Sequence, residues 1–166
     1  QMRTNDPAIY AVGDVVETID LVTGHQINAA LAGPANRQGR IVADVLAGRD
    51  SIYRQTQATA IVKVFNQAAA STGVSEKRLK ALGLPYHRVY VHPTSHPRYY
   101  PDAQPVSIKL LFSPQGKIYG AQVIGAEGVD GIINTLATAQ RAGMTVRDLE
   151  HLELAYSPQW GGAKHP

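Results

Sequence analysis

The chain has 166 residues, of which 44 % are hydrophobic and 17 % charged, with a formal net charge of +3. That length holds one ordinary domain, or one domain plus part of another, and the charge falls below the roughly 25 % usual for soluble domains, so surface is reserved for burial against another body. The sequence has no cysteine, which excludes disulfides, thiolate metal sites and a cysteine nucleophile within these residues; no apolar run approaches the roughly 18 residues of a membrane span, and the opening residues are no signal peptide.

In chain order, Ala8-Ile9-Tyr10-Ala11-Val12 is a short apolar run ending in Gly13-Asp14. Five consecutive apolar residues predict a strand buried on both faces, as in a parallel sheet. A polar connection with a turn at Thr23-Gly24 follows, then a helix over 35–47 with Pro34 at its first position and Gly48 at its stop. One strand and one helix cannot bury both faces of that strand, so residues 1–50 read as the remnant of a larger α/β domain. Residues 51–59 read as a polar linker.

Beyond the linker, residues 60–65 and 67–72 are strand-like. Ser75 caps a short helix carrying Leu79 and Leu82, and residues 87–91 alternate as a strand. Residues 106–112 and 117–124 are two strands joined by Ser113-Pro114-Gln115-Gly116, a hairpin signal. Ile132, Ile133, Leu136 and Ala139 or Gln140 follow helical spacing to a stop at Gly143. Thr145 and Asp148 stand at capping-box spacing for a further short helix. The order β-β-α-β-β-β-α-α predicts an α+β domain over 51–166, with a mainly antiparallel sheet and helices on one face. The basic group Lys77, Arg78 and Lys80 reads as a solvated helix face, because nucleic-acid binding wants a longer basic stripe with stacking aromatics. None of the six histidines forms an HxxxH or HExxH pair on a helix, so no metal site is expected.

A strand ending in Gly13-Asp14 places a carboxylate at the carboxyl edge of a sheet, where ligands of α/β folds bind. Gly13 permits close backbone approach, and Asp14 can accept hydrogen bonds from sugar-like hydroxyls. Gly-Asp alone is equally a turn cap. The whole string Thr4-Asn5-Asp6-Pro7-Ala8-Ile9-Tyr10-Ala11-Val12-Gly13-Asp14 resembles the second flavin-binding motif of the pyridine nucleotide–disulfide oxidoreductases, and Leu31-Ala32-Gly33-Pro34-Ala35-Asn36-Arg37-Gln38-Gly39-Arg40 follows at a suitable distance. The resemblance implies that Gly13 and Asp14 meet the ribityl chain of FAD. It further implies that Leu31, Ala32 and Gly33 open a helix aimed at the flavin pyrimidine ring, where reduced flavin carries negative charge and free amides and a positive dipole end are favourable.

Two further strings carry aromatic residues into irregular backbone: Ser95-His96-Pro97-Arg98-Tyr99-Tyr100-Pro101, and Leu152–Lys164 with Tyr156, Trp160 and Lys164. The adjacent tyrosines are either partly packed on the core or part of an interface loop. Together with residues 60–72 and 109–125, these strings resemble the dimerisation domain of coenzyme A–disulfide reductases and related NADH oxidases. The resemblance implies a cytoplasmic homodimer without nucleic-acid or membrane partners. It implies that Tyr156, assisted by Tyr99 or Tyr100, reaches the partner subunit's active site. It also makes Lys164 and Arg37 candidates for binding coenzyme A or another low-molecular-weight disulfide. Gly131, where relatives tend to be basic, and Ser157-Pro158-Gln159, where they have Ala-Pro-Pro, leave the thiol substrate open.

Relatives begin with a GxGxxG motif, carry a redox cysteine and contain an NAD(P)H domain, none of which lies in these residues. The chain is therefore expected to be a carboxy-terminal piece, inactive alone and retaining little FAD, with NAD(P)H as the parent's co-substrate. An NADH oxidase or peroxidase, or a stand-alone dimerisation module without flavin, are the alternatives.

Overall fold

A computed structural model describes residues 1–165 and divides the chain between Ala58 and Thr59 into two compact units. The second is built on a five-stranded, wholly antiparallel sheet. Its strands are β3 (Ala60–Val64), β4 (Gln67–Gly73), β5 (His87–Val91), β6 (Val106–Phe112) and β7 (Ile118–Gly125), in the order β3-β4-β7-β6-β5. Alternation decides its faces. Val106 and Ile108 are buried while Ser107 is exposed, and Ala121 and Val123 are buried while Gln122 and Ile124 are exposed. The buried set, with Ala70 of β4, meets Val129 and Ile133 of helix α3 (Val129–Arg141) in one apolar cluster. Each such side chain contributes about 1.5–3 kcal/mol when fully buried. The unit is thus the expected α+β domain, with a mainly antiparallel sheet.

The predicted punctuation forms from the expected atoms. The β6–β7 hairpin closes through the Lys117 carbonyl, which accepts from the Ser113 N–H at 2.9 Å, and Gly116 takes φ +88° in its turn. The Ser75 hydroxyl accepts from the Arg78 N–H at 3.3 Å, starting helix α2 (Glu76–Ala81). Glu76 on α2 is held by Lys109 and Arg88, both at 2.6 Å, and accepts from the Tyr86 hydroxyl at 2.6 Å. Lys109 alternates to the opposite side of the sheet from Ile108, so this network ties α2 to the face away from α3, and the helices do not share one face as the sequence predicted. Thr145 and Asp148 make their reciprocal box at the start of a 3-10 turn, Asp148–His151. On the edge strand β3 the apolar side chains Ile61, Val62 and Val64 are exposed, and Phe65 stands 93 % exposed in the β3–β4 turn.

The first unit is organised differently. Residues 8–12, expected as a buried strand, make a single antiparallel bridge between Arg3 and Tyr10. No strand ladder forms there, because no neighbouring strand among the described residues supplies partners, and Ile9 stays 53 % exposed. Two three-residue strands, β1 (Glu17–Ile19) and β2 (Gln26–Asn28), flank the expected Thr23-Gly24 turn. Asp20 knots that turn by accepting from the Val22 and Thr23 amides and the Thr23 hydroxyl. Helix α1 runs Ala32–Leu46, starting ahead of Pro34, which occupies the third helical position and lacks an N–H where the helix offers no acceptor for one. The segment 51–58 is no free linker: Thr56, 2 % exposed, exchanges backbone bonds with Ile19 and Leu21 and a hydroxyl bond with Thr18. Among the described residues no helix is long and apolar enough to cross a membrane.

Candidate functional site

Two groups of side chains stand out, one in each unit. In the first unit the chain leaves residues 8–12 through a 3-10 turn, Gly13–Val15, with Gly13 at φ +81°. The Gly13 N–H donates to the Gln38 side-chain oxygen at 2.7 Å, and Gln38, on α1, is only 1 % exposed. The Asn28 amide donates to the Asp14 carbonyl at 2.7 Å, leaving the exposed Asp14 carboxylate with both oxygens available to a ligand. A Cβ added to Gly13 would touch the Ala35 Cβ at 3.8 Å, so the turn lies directly on the amino-terminal half of α1.

That helix end has no side-chain cap and no acidic residue in its first turn. Leu31 is its N-cap, Ala32 and Gly33 open it, and the space beside Gly33 is clear. Free amides, a positive dipole end and a nearby carboxylate suit a ligand that pairs an electron-rich ring edge with hydroxyls. Arg37 lies exposed on the same helix. The turn and helix end are therefore brought together as expected. Gln38, which joins them, was not legible as a ligand-site residue: its one signal is a polar residue three positions before Ile41 on the buried face.

In the second unit the structure separates the two adjacent tyrosines. The Tyr99 and Tyr156 hydroxyls meet at 2.5 Å, with Tyr99 73 % and Tyr156 48 % exposed. The hydrogen bond to Tyr156, followed by partial desolvation, raises the Tyr99 pKa above the usual tyrosine value. Tyr99 therefore stays protonated through the physiological range. Tyr100 turns the other way and packs edge-on against the His96 ring, with centroids 5.6 Å apart. Lys164 is placed by a groove in the second unit, open and of about 1140 Å³, whose walls include Leu110, Leu136, Leu152 and Trp160 and to which Arg98 also contributes.

The chain matches the model of the pyridine nucleotide-disulphide oxidoreductase dimerisation domain over residues 59–163. Among curated proteins it is 33 % identical over 166 residues to a coenzyme A disulfide reductase of Staphylococcus aureus, covering 99 % of this chain and 37 % of that protein. It is 29 % identical over 158 residues to an NADH oxidase of Methanocaldococcus jannaschii, covering 95 % of this chain and 35 % of that protein. Among solved structures, that of reduced Bacillus anthracis CoADR-RHD superposes with a TM-score of 0.96 at 50 % identity, covering 99 % of this chain and 30 % of that one. The chain thus spans about a third of the length of each.

Proposed function

Starting from the fact that this chain belongs to the pyridine nucleotide-disulphide oxidoreductase family, as its dimerisation-domain match over 59–163 shows, we propose that it is the carboxy-terminal part of an NAD(P)H-dependent disulfide reductase acting on coenzyme A disulfide. The family is FAD- and NAD(P)H-dependent. Bound FAD would relay two electrons from the nicotinamide toward a disulfide. Gly13 and Asp14 would hold its hydroxylated chain, and the α1 amides after Leu31 would face its electron-rich ring edge. The fit rests on the uncapped helix end and the Gly13 turn packed on Ala35. The second unit forms the twofold contact of a homodimer and presents the tyrosine pair to the partner subunit.

The observation that carries this reading is the Tyr99–Tyr156 hydroxyl pair. Cleaving a disulfide releases a thiolate that must be stabilised or protonated. If Tyr99 donates to the Tyr156 oxygen, Tyr156 keeps its own proton to give to the sulfur, and the Tyr99 bond stabilises the phenolate left behind. General-acid assistance of this kind typically contributes about 10²- to 10⁴-fold in rate. Lys164 and Arg98 at the groove offer positive charge to a phosphate-bearing substrate, Lys164 as a point charge.

The test is steady-state kinetics of the full-length protein with coenzyme A disulfide. Tyr156→Phe should lower kcat chiefly, and Lys164→Ala should raise KM chiefly, while flavin reduction by NAD(P)H survives both. Wild-type kcat and KM in both variants would remove the substrate assignment.

A further inference from the structure

Tyr99 is the most exposed of the tyrosine pair, and nothing in its own backbone segment fixes it by regular structure. It sits in the turn 97–101, bounded by Pro97 and Pro101, which lack backbone N–H groups. What crosses this turn is His96, 7 % exposed. Its Nε2 lies 2.8 Å from the Pro101 carbonyl oxygen, and its Nδ1 lies 3.1 Å from the Ser95 hydroxyl. A carbonyl only accepts, so Nε2 carries a proton, and Nδ1 pairs with the Ser95 hydroxyl. The Ser95 hydroxyl is itself oriented, accepting from the Gln104 N–H at 3.0 Å. The stem below is closed by backbone bonds between Ser95 and Gln104 and from the Val106 N–H to the Pro93 carbonyl.

The ring therefore bridges a fixed stem to the far end of the turn. The Tyr100 ring lies edge-on to it, and the Tyr100 N–H reaches back to the Pro97 carbonyl at 3.0 Å. Between these attachments only Arg98 and Tyr99 project outward. We propose that His96 is the positioning residue that holds Tyr99 against Tyr156, acting through the Pro101 carbonyl. A histidine with a merely structural role would on its loss cost general stability without singling out Tyr99. The inference rests on the tyrosine pair described above, but it concerns the geometry of that pair and is read without turnover.

The measurement is NMR of the 166-residue chain labelled with ¹³Cζ-tyrosine, with the Tyr99 signal assigned by Tyr99→Phe. The wild-type Tyr99 should titrate above the ordinary tyrosine value of 10.0, and Tyr156→Phe should remove the part of that rise that the hydrogen bond supplies. His96→Ala should remove that part equally, with an unchanged far-ultraviolet spectrum. His96→Gln, whose side-chain N–H can reach the Pro101 carbonyl, should restore it. A folded His96→Ala chain in which Tyr99 keeps its raised titration overturns the inference and leaves the pair intact. A wild-type Tyr99 insensitive to Tyr156→Phe overturns the pair itself, and the inference with it. Should His96→Ala fail to fold, ¹⁵N-histidine spectra of the wild type decide: a proton on Nε2 is required, and a proton on Nδ1 instead contradicts the proposal.

Discussion

The two units are stabilised by opposite means. The second has a continuous apolar cluster from β4, β6, β7 and α3, and Leu79, Leu111 and Ile118 are buried outside that cluster. The first has one buried aliphatic side chain, Ile41; its other buried residues, Thr18, Asp20, Gln38 and Thr56, are polar and hydrogen-bonded. At the same time it exposes Ile9, Val15, Leu46 and Ile52. Apolar burial is the dominant favourable term in folding, and hydrogen bonds contribute only about 0.5–1.5 kcal/mol net. The second unit therefore has the makings of an independently stable body. The first keeps its Gly13 turn in shape with few polar contacts and has apolar side chains exposed.

The largest expected effect lies where the sheet of the second unit has no room. A Cβ on Gly120 would meet the Val74 backbone and stand 2.9 Å from the Thr72 carbonyl. Gly120→Val should cost about 4 kcal/mol or more. Segment-resolved hydrogen exchange should show protection lost over 106–125 while 17–28 keep theirs; a variant as protected as the wild type would break the contrast.

A smaller effect is expected in the first unit. Gln38→Leu leaves the Gly13 N–H without its acceptor, at a cost of about 1–3 kcal/mol. In the full-length protein it should weaken flavin retention, measured as bound FAD per subunit after gel filtration, with the second unit's urea transition unmoved. Unchanged flavin content would show that the turn is held otherwise.

The smallest effect concerns acid. Lys109, then Tyr86 and Arg88, push the Glu76 pKa well below its ordinary value of 4.5. A carboxylate with a lowered folded-state pKa contributes stability that is fully present above its unfolded value and is lost as pH falls toward the folded one. Glu76→Gln should therefore be less stable than the wild type at neutral pH, and the difference should shrink below about pH 4.5. Parallel stability curves down to acid would contradict this.

What the sequence revealed follows the same division. The β6–β7 hairpin, α3 and the Ser75 cap are written in local signals: Pro-Gln-Gly between alternating strands, aliphatics at helical spacing, a hydroxyl before Glu76. They are legible because each element buries its own stripe on its neighbour. Residues 8–12 misled because a five-residue apolar run indicates burial but not which chain provides it. The three-residue strands β1 and β2 are too short for periodicity to register, and Thr56 joins them from a stretch of polar residues that reads as linker. In the candidate site, Gly13-Asp14 and the helix after Leu31 were legible as strings. The choice between Tyr99 and Tyr100 was not, because adjacent residues of one type differ only in which way the turn points them, and that is set by His96 and Pro101.

The central claim is that Asp14 serves the flavin site of its own subunit while Tyr156 serves that of the partner. Complementation in the full-length protein tests it directly. Asp14→Leu and Tyr156→Phe subunits, each inactive as homodimers, are mixed, unfolded and refolded together. In a twofold heterodimer one site then carries both defects and the other carries neither, so the mixture should recover roughly a quarter of wild-type activity. If both residues served the same subunit's site, each site would carry one defect, and recovery no greater than that of the separate homodimers would contradict the account.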